Sequence, residues 1–325
     1  MRTKHSENRH QPGPKKPGKF VRMSKKGDIM QIQPFSVNDG EGIRTNIFMA
    51  GCPLRCRWCS NPEGFTQKEL IGWYSRKCIG CGACASVCSQ GIGIDMTERD
   101  ICIACGACVK ACPEEARVRM VSLMDADDVI SEVMKHRLFY SYSGGGVTFS
   151  GGEATSQPEF LDYVSRELYD SGISIDIETC GYFDFDLVRP ALERMDLIFM
   201  DLKHMNPEIH RKYTGVSNEL VLENISRLNS LSLPDHGSPE VVIRIPVIGG
   251  VNNSEENIAA SAAFVHDALP DAKMELLPYH TFGKIKYEAI GMPFDQDCFY
   301  TPDREEMKKL RDVAAAQGPE IVDFR

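Results

Sequence analysis

The sequence has no apolar run of the ~18 to 20 residues that span a bilayer, and its start lacks the apolar stretch of a signal peptide. A cytoplasmic protein with no membrane partner is therefore expected. Positive charge is scarce, with 37 Lys and Arg against 46 Asp and Glu and a formal net charge of -9. Because a phosphate-binding surface usually shows as a basic domain, nucleic acid is not an expected partner. The glycine run Gly144 to Gly146 is followed by no Gly-Lys-Ser/Thr, which excludes a phosphate loop. One absence is local: in "GCPLRCRWCSNPEG", Cys52, Cys56 and Cys59 follow a Cys-x3-Cys-x2-Cys spacing with no fourth cysteine close by.

What is present is a chain of 325 residues with 42% apolar content, enough for a sizeable core. Its 13 cysteines, an odd number, suit metal or redox chemistry in a reducing compartment better than disulfides. Residues 1–26, with Lys4, Arg9, Lys15, Lys16, Lys19, Lys25 and Lys26 among Pro and Gly, are expected to be a disordered basic tail. Cys78, Cys81, Cys84 and Cys88 form Cys-x2-Cys-x2-Cys-x3-Cys, and Cys102, Cys105, Cys108 and Cys112 repeat it, with Pro113 after the last. That is the two-cluster ferredoxin pattern, in which the fourth cysteine of each run ligates the other run's cluster. One [4Fe-4S] cluster would take Cys78, Cys81, Cys84 and Cys112, and the other Cys102, Cys105, Cys108 and Cys88. Structural zinc also uses Cys-x2-Cys, but it pairs two such hooks across a longer gap.

Apolar, β-branched runs at Ile43 to Met49, Val147 to Phe149, Ile173 to Ile177, Leu197 to Met200, Val241 to Val247 and Met274 to Leu277 read as buried parallel strands. Helical patterns lie between and after them, at Asp125 to Leu138, Pro158 to Asp170, Phe185 to Arg194, Asn218 to Asn229, Glu255 to Ala268 and Pro302 to Ala316. The fold class is α/β: a partial (β/α)6 barrel over 27–70 and 120–325, with a ferredoxin-like two-cluster domain inserted at 71–119. In such barrels the chemistry sits on the loops after the strands. That selects the Cys52 loop, Ser150 to Glu153 with Gly151 and Gly152, Glu178 to Gly181 with Thr179, Asp201 to His204 with Lys203, Arg244 within its strand, and Pro278 to His280.

The three-cysteine loop, with Trp58 before the third cysteine, resembles the signature of the radical S-adenosylmethionine superfamily. "NDGEGIRTNIFMAGCPLRCRWCSNPEG", "GGGVTFSGGEATSQPEF", "DLIFMDLKHMNPEIHRKYTGVSN" and "MELLPYHTFGKIKY" narrow the resemblance to the activating enzymes of glycyl radical enzymes, typified by the pyruvate formate-lyase activator. That activator lacks a ferredoxin-like insert, whereas activators of several other glycyl radical enzymes carry one, and this chain is similar to the second group. The resemblance implies a third [4Fe-4S] cluster on Cys52, Cys56 and Cys59, with its fourth iron open to S-adenosylmethionine. Reductive cleavage would give a 5'-deoxyadenosyl radical that abstracts hydrogen from a glycine of a partner glycyl radical enzyme. An electron donor such as flavodoxin or ferredoxin, sensitivity to oxygen and a chain monomeric on its own are implied with it.

The resemblance also assigns residues. Gly151, Gly152 and Glu153 match a motif that meets the cosubstrate's amino group, while Lys203, Arg244 and His280 fall on positions near it and Trp58 offers a face to the adenine. Glu178, Thr179 and Asp201 occupy positions associated with a monovalent cation, although Glu178 stands where the pyruvate formate-lyase activator has Asp. Asp39, in a loop where Glu41 replaces a proline common in the family, would face the glycine substrate. Blander readings stay open for each: a tight turn for the glycines, helix caps for the carboxylates, ordinary barrel-mouth polarity for Lys203, Arg244 and His280, and cluster shielding for Trp58. The Cys52 loop could also be a metal site borrowing His280 or Cys298. Cys180 and Cys298 are expected to be buried or half-buried small groups. Two other functions fit parts of the pattern: a radical enzyme acting on a small molecule or peptide, for which the short region after His280 supplies little, and an electron carrier, which would need the insert alone.

Overall fold

The computed structural model describes residues 25–233, 237–295 and 298–324. The expected tail lies outside them through residue 24, but Lys25 packs against Glu159 and Lys26 opens the first strand. β1 (Lys26–Ser36) and β2 (Arg44–Met49) pair antiparallel. β3 (Leu70–Trp73), the short helices α1 (Ala83–Ser86) and α2 (Ala107–Ala111), and β4 (Arg117–Asp125) make up the insert. Then come α3 (Ala126–Met134), α4 (Arg137–Ser143), β5 (Gly146–Gly151), α5 (Pro158–Asp170), β6 (Ser174–Thr179), α6 (Phe185–Leu192) and β7 (Leu197–Asp201). The chain ends with α7 (Pro207–Thr214), α8 (Glu219–Arg227), β8 (Glu240–Val247), α9 (Glu255–Ala268), β9 (Lys273–Pro278), α10 (Lys284–Ile290), α11 (Arg304–Ala315) and β10 (Glu320–Ile321). Among the described residues no helix is long and apolar enough to cross a membrane.

All ten strands form one open sheet in the order β10-β9-β8-β7-β6-β5-β2-β1-β4-β3. The run from β2 through β5, β6, β7 and β8 to β9 is parallel throughout, as expected for the six predicted strands. Its outer face carries Ile47, Val147, Phe149, Ile175, Ile177, Ile198, Met200, Ile243 and Leu276, buried in one core with the helices. Side chains alternate along a strand, so the opposite face holds Arg44, Thr148, Ser150, Asp176, Arg244 and Glu275, which are equally buried but polar. Near-continuous burial on both faces is why these strands read as apolar runs, and the polar row marks the face where the chemistry sits.

Three boundaries differ from expectation. The helix expected over 125–138 is two helices, because the amides of Lys135 and His136 turn back to Glu132 and Val133, three residues away, tightening and ending α3. The insert boundary at 119 falls inside β4, which pairs with β3 on one side and β1 on the other. Leu70, expected to end the barrel's first segment, is the first residue of β3.

Candidate active site

At the C-terminal ends of the parallel strands lies a cavity of about 340 Å³. Its walls carry Cys52, Cys56, Trp58 and Cys59 from the loop after β2, and Gly151, Gly152 and Glu153 from the end of β5. Glu178, Thr179, Asp201, Lys203, Arg244 and His280 complete it from the ends of β6, β7, β8 and β9. Asp39 is not in that lining. Its carboxylate accepts from Ser36 Oγ at 2.5 Å and from Asn46 Nδ2, and its carbonyl accepts from Thr148 Oγ1 at 2.7 Å, on the floor below Glu178.

The glycines are required by backbone packing. A Cβ on Gly151 would lie 2.4 Å from the Met49 amide and carbonyl, and one on Gly152 would lie 2.6 Å from the Gly51 carbonyl. The loop after β5 is thereby pressed against the start of the cysteine loop. Glu153, 1% exposed, is a bracket rather than a free acid. Its Oε1 accepts from the Thr155 amide (3.0 Å), Thr155 Oγ1 (2.7 Å) and Thr179 Oγ1 (2.8 Å), and its Oε2 from the Cys180 amide (2.6 Å).

Arg244 donates from Nε to Glu275 Oε2 at 2.8 Å and from Nη1 to Glu178, with its guanidinium 3.4 Å from the centre of the Phe199 ring. Burial opposes its charge, but the two carboxylates outweigh burial and hold it cationic. Burial pushes the Glu178 carboxyl up, against the pull of Arg244 and of Ser150 Oγ, which donates to it. Lys203 donates to Asp201, and although burial opposes its charge too, Asp201 with the Cys56 and Cys180 sulfurs holds the ammonium above its usual range. The carboxylates expected to coordinate a monovalent cation are thus already committed to side-chain cations. Among the described residues no three His, Cys, Asp or Glu side chains converge tightly enough for a single metal ion. A monovalent cation near Asp201 would share these carboxylates with Lys203 and Arg244.

Burial pushes the thiols of Cys56 and Cys59 up to about 12, with Lys203 opposing it. A hydrogen bond with Cys180 lowers Cys52 against burial. The Asn61 amide donates to Cys59 Sγ at 3.4 Å, a bond that favours the thiolate. Cationic and amide donors facing three sulfurs fit an anionic iron-sulfur group there. Trp58 is buried against Ile248 and Tyr279 while lining the cavity. His280 stands exposed at the rim, stacked on Phe282 at 4.5 Å.

Glu275 was missed by sequence reasoning, whereas Ser150, selected with the strand-end loop, donates to Glu178. The signal for Glu275 was a lone acid inside the apolar run "MELL". Cys180 is buried as expected and also lines the cavity, whereas Cys298 is exposed, contrary to expectation, because it lies in the loop before α11 rather than in the core.

The insert holds two further hollows. One is lined by Cys84, Cys88, Cys102, Cys105 and Cys108, the other by Cys78, Cys81, Cys84 and Cys112. The sequence repeat is a structural one, since α1 and α2 each follow a left-handed glycine, Gly82 at φ 75° and Gly106 at φ 79°. The Ala116 amide donates to Cys112 Sγ at 3.2 Å and the Ala104 amide to Cys102 Sγ at 3.4 Å.

Residues 46–262 match the radical SAM superfamily. A (2S)-3-sulfopropanediol dehydratase activating enzyme of Klebsiella oxytoca is 38% identical over 286 residues, covering 84% of this chain and 88% of that protein. An isethionate sulfite-lyase activating enzyme of Oleidesulfovibrio alaskensis is 39% identical over 305 residues, covering 90% of this chain and 95% of its own. The solved structure of Streptococcus suis SuiB bound to precursor peptide SuiA shares the fold, with a TM-score of 0.51 at 11% identity over 83% of this chain and 46% of that one.

Proposed function

Because this chain belongs to the radical SAM superfamily and, within it, to the activating enzymes of glycyl radical enzymes, we propose that Cys52, Cys56 and Cys59 hold a [4Fe-4S] cluster with one iron open to S-adenosylmethionine. The bound group supplies one-electron cleavage of the cosubstrate to methionine and a 5'-deoxyadenosyl radical, which takes hydrogen from a glycine of the partner. The chain's own residues bind, orient and shield. Lys203 offsets negative charge beneath the sulfurs. Arg244, fixed by Glu275, turns a held cation toward the cosubstrate carboxylate, and Glu153 keeps Gly151 and Gly152 open for its amino group. Trp58 and His280 cover the nucleoside side, Trp58 from a packed position and His280 from the rim. Asp39 braces the floor under Glu178 through Ser36, Asn46 and Thr148.

The observation that carries this reading is the meeting of three closely spaced cysteines with Glu153, Lys203 and Arg244 around one cavity. The insert hollows support the crossed assignment of two more [4Fe-4S] clusters, which would receive electrons from a flavodoxin or ferredoxin. The partner is a glycyl radical enzyme, and the activator acts as a monomer. The test is anaerobic reconstitution with iron and sulfide, reduction, addition of S-adenosylmethionine and quantification of 5'-deoxyadenosine. Cys59→Ala should abolish the product while leaving the insert clusters, and product that survives this substitution would overturn the cluster assignment. Candidate glycyl radical enzymes, added one at a time, should show a glycyl radical signal by electron paramagnetic resonance for the true partner.

A further inference from the structure

Arg117, the first residue of β4, is 3% exposed and lies between the two hollows of the insert. Arg117 and Cys84 are the two residues that line both. Its Nη2 donates to the Gly93 carbonyl at 2.9 Å and the Ile94 carbonyl at 2.6 Å, and stands 3.7 Å from Cys84 Sγ. The guanidinium rests 5.7 Å from the Trp73 ring centre. Its Nε and Nη1 are buried with no hydrogen-bond acceptor among the described residues. An arginine stays charged in proteins, and a buried cation whose donors face nothing is costly. Two carbonyls on one nitrogen explain a clamp on the 93–94 segment. They do not explain why the other donors are buried at the seam of two cysteine-lined hollows.

A four-iron cluster held by four thiolates is a net anion and becomes more negative when it takes an electron. Hydrogen bonds to its sulfurs and nearby positive charge both favour the reduced form. We propose that Arg117 is a positioning residue shared by the two insert clusters, its free N–H groups and charge raising the reduction potential of both together. The proposal rests on the two-cluster reading of the insert. Through this one side chain both sites become easier to reduce, so an external donor of given potential can reduce either more completely.

The test uses the full chain, reconstituted anaerobically in a Cys59→Ala background that removes the third cluster's signal. Iron is counted and both midpoints are read by a redox titration followed by electron paramagnetic resonance. Arg117→Gln, which keeps a polar group and loses the charge, should lower both midpoints. Arg117→Lys, which keeps the charge and loses the planar fork, should lower both by less. Midpoints that stay at the parent value with full iron overturn the proposal, and so does a shift confined to one cluster. If Arg117→Gln fails to hold its iron, Arg117→Lys decides alone by the same criterion. A parent protein without the iron of two clusters would refute the two-cluster reading itself, a result told apart from any effect of residue 117.

Discussion

Glu153 shows how much one buried carboxylate can organise. It collects four donors from two loops, and no neutral amide can replace it without turning an NH2 group toward a donor. Glu153→Gln should destabilise the protein by about 1.5–3 kcal/mol and weaken S-adenosylmethionine binding, as read by urea unfolding and by calorimetry. Unchanged unfolding would mean the bracket is dispensable. Asp176 gives the pH prediction. It pairs with Arg44 at 3.0 Å, but burial outweighs the pair and pushes the carboxyl up to about 7. The folded state thus binds this proton more tightly than the unfolded chain. The stabilisation is fully present below the ordinary carboxylate value of 3.8 and is lost as pH rises through about 7. Urea midpoints should fall between about pH 5 and about pH 7.5. Asp176→Asn, which mimics the protonated form, should flatten that fall, and equal slopes in the two proteins would remove Asp176 as its source.

At the scale of elements, the loops that carry the chemistry are tied together from behind by asparagines. Asn252 Nδ2 donates to the Lys203 carbonyl at 2.9 Å and the Pro246 carbonyl at 2.8 Å, and its Oδ1 accepts the Ile248 amide at 2.7 Å. Asn252→Ala leaves three buried backbone groups without their partner. It should cost about 2–4 kcal/mol and slow 5'-deoxyadenosine formation by loosening Lys203, whereas Asn252→Asp should retain part of the fold's stability through Oδ1. Nothing in the sequence marks Asn252, because its role depends on β7 and β8 being neighbours. The parallel strands were legible because two buried faces leave continuous β-branched runs such as "VVIRIPV". β1 was not, since "KGDIMQIQPFS" mixes exposed and buried positions without clean alternation and is made a strand by partners on both sides. The cysteine, glycine and carboxylate positions of the cavity were legible from motif spacing. The pairing of Glu178 with Arg244 was not, because it needs side-chain reach from β8 to β6, whereas Asp201 and Lys203 pair locally at the end of β7.

For the molecule as a whole, the insert is an extension of the sheet. Trp73 and Arg117 face each other in register where β3 and β4 meet it. Residues 74–116 are therefore a long connection between two hairpin strands. Replacing them with a two-residue Asn-Gly turn should give a folded protein that binds one cluster and still makes 5'-deoxyadenosine with a chemical reductant. Ile71 and Trp73 pack on the insert's small core and would need changing to Thr in that protein. Excision at 71–119 instead cuts both strands and should give insoluble material, so expression of the two deletions side by side is the measurement.

β1 hydrogen-bonds on one edge to β2, which leads into the Cys52 loop, and on the other to β4, which starts at Arg117. Among the described residues, paired strands join the two cysteine-bearing regions. Strand pairing sets their spacing when the chain folds, like the spacing of contacts on a printed board.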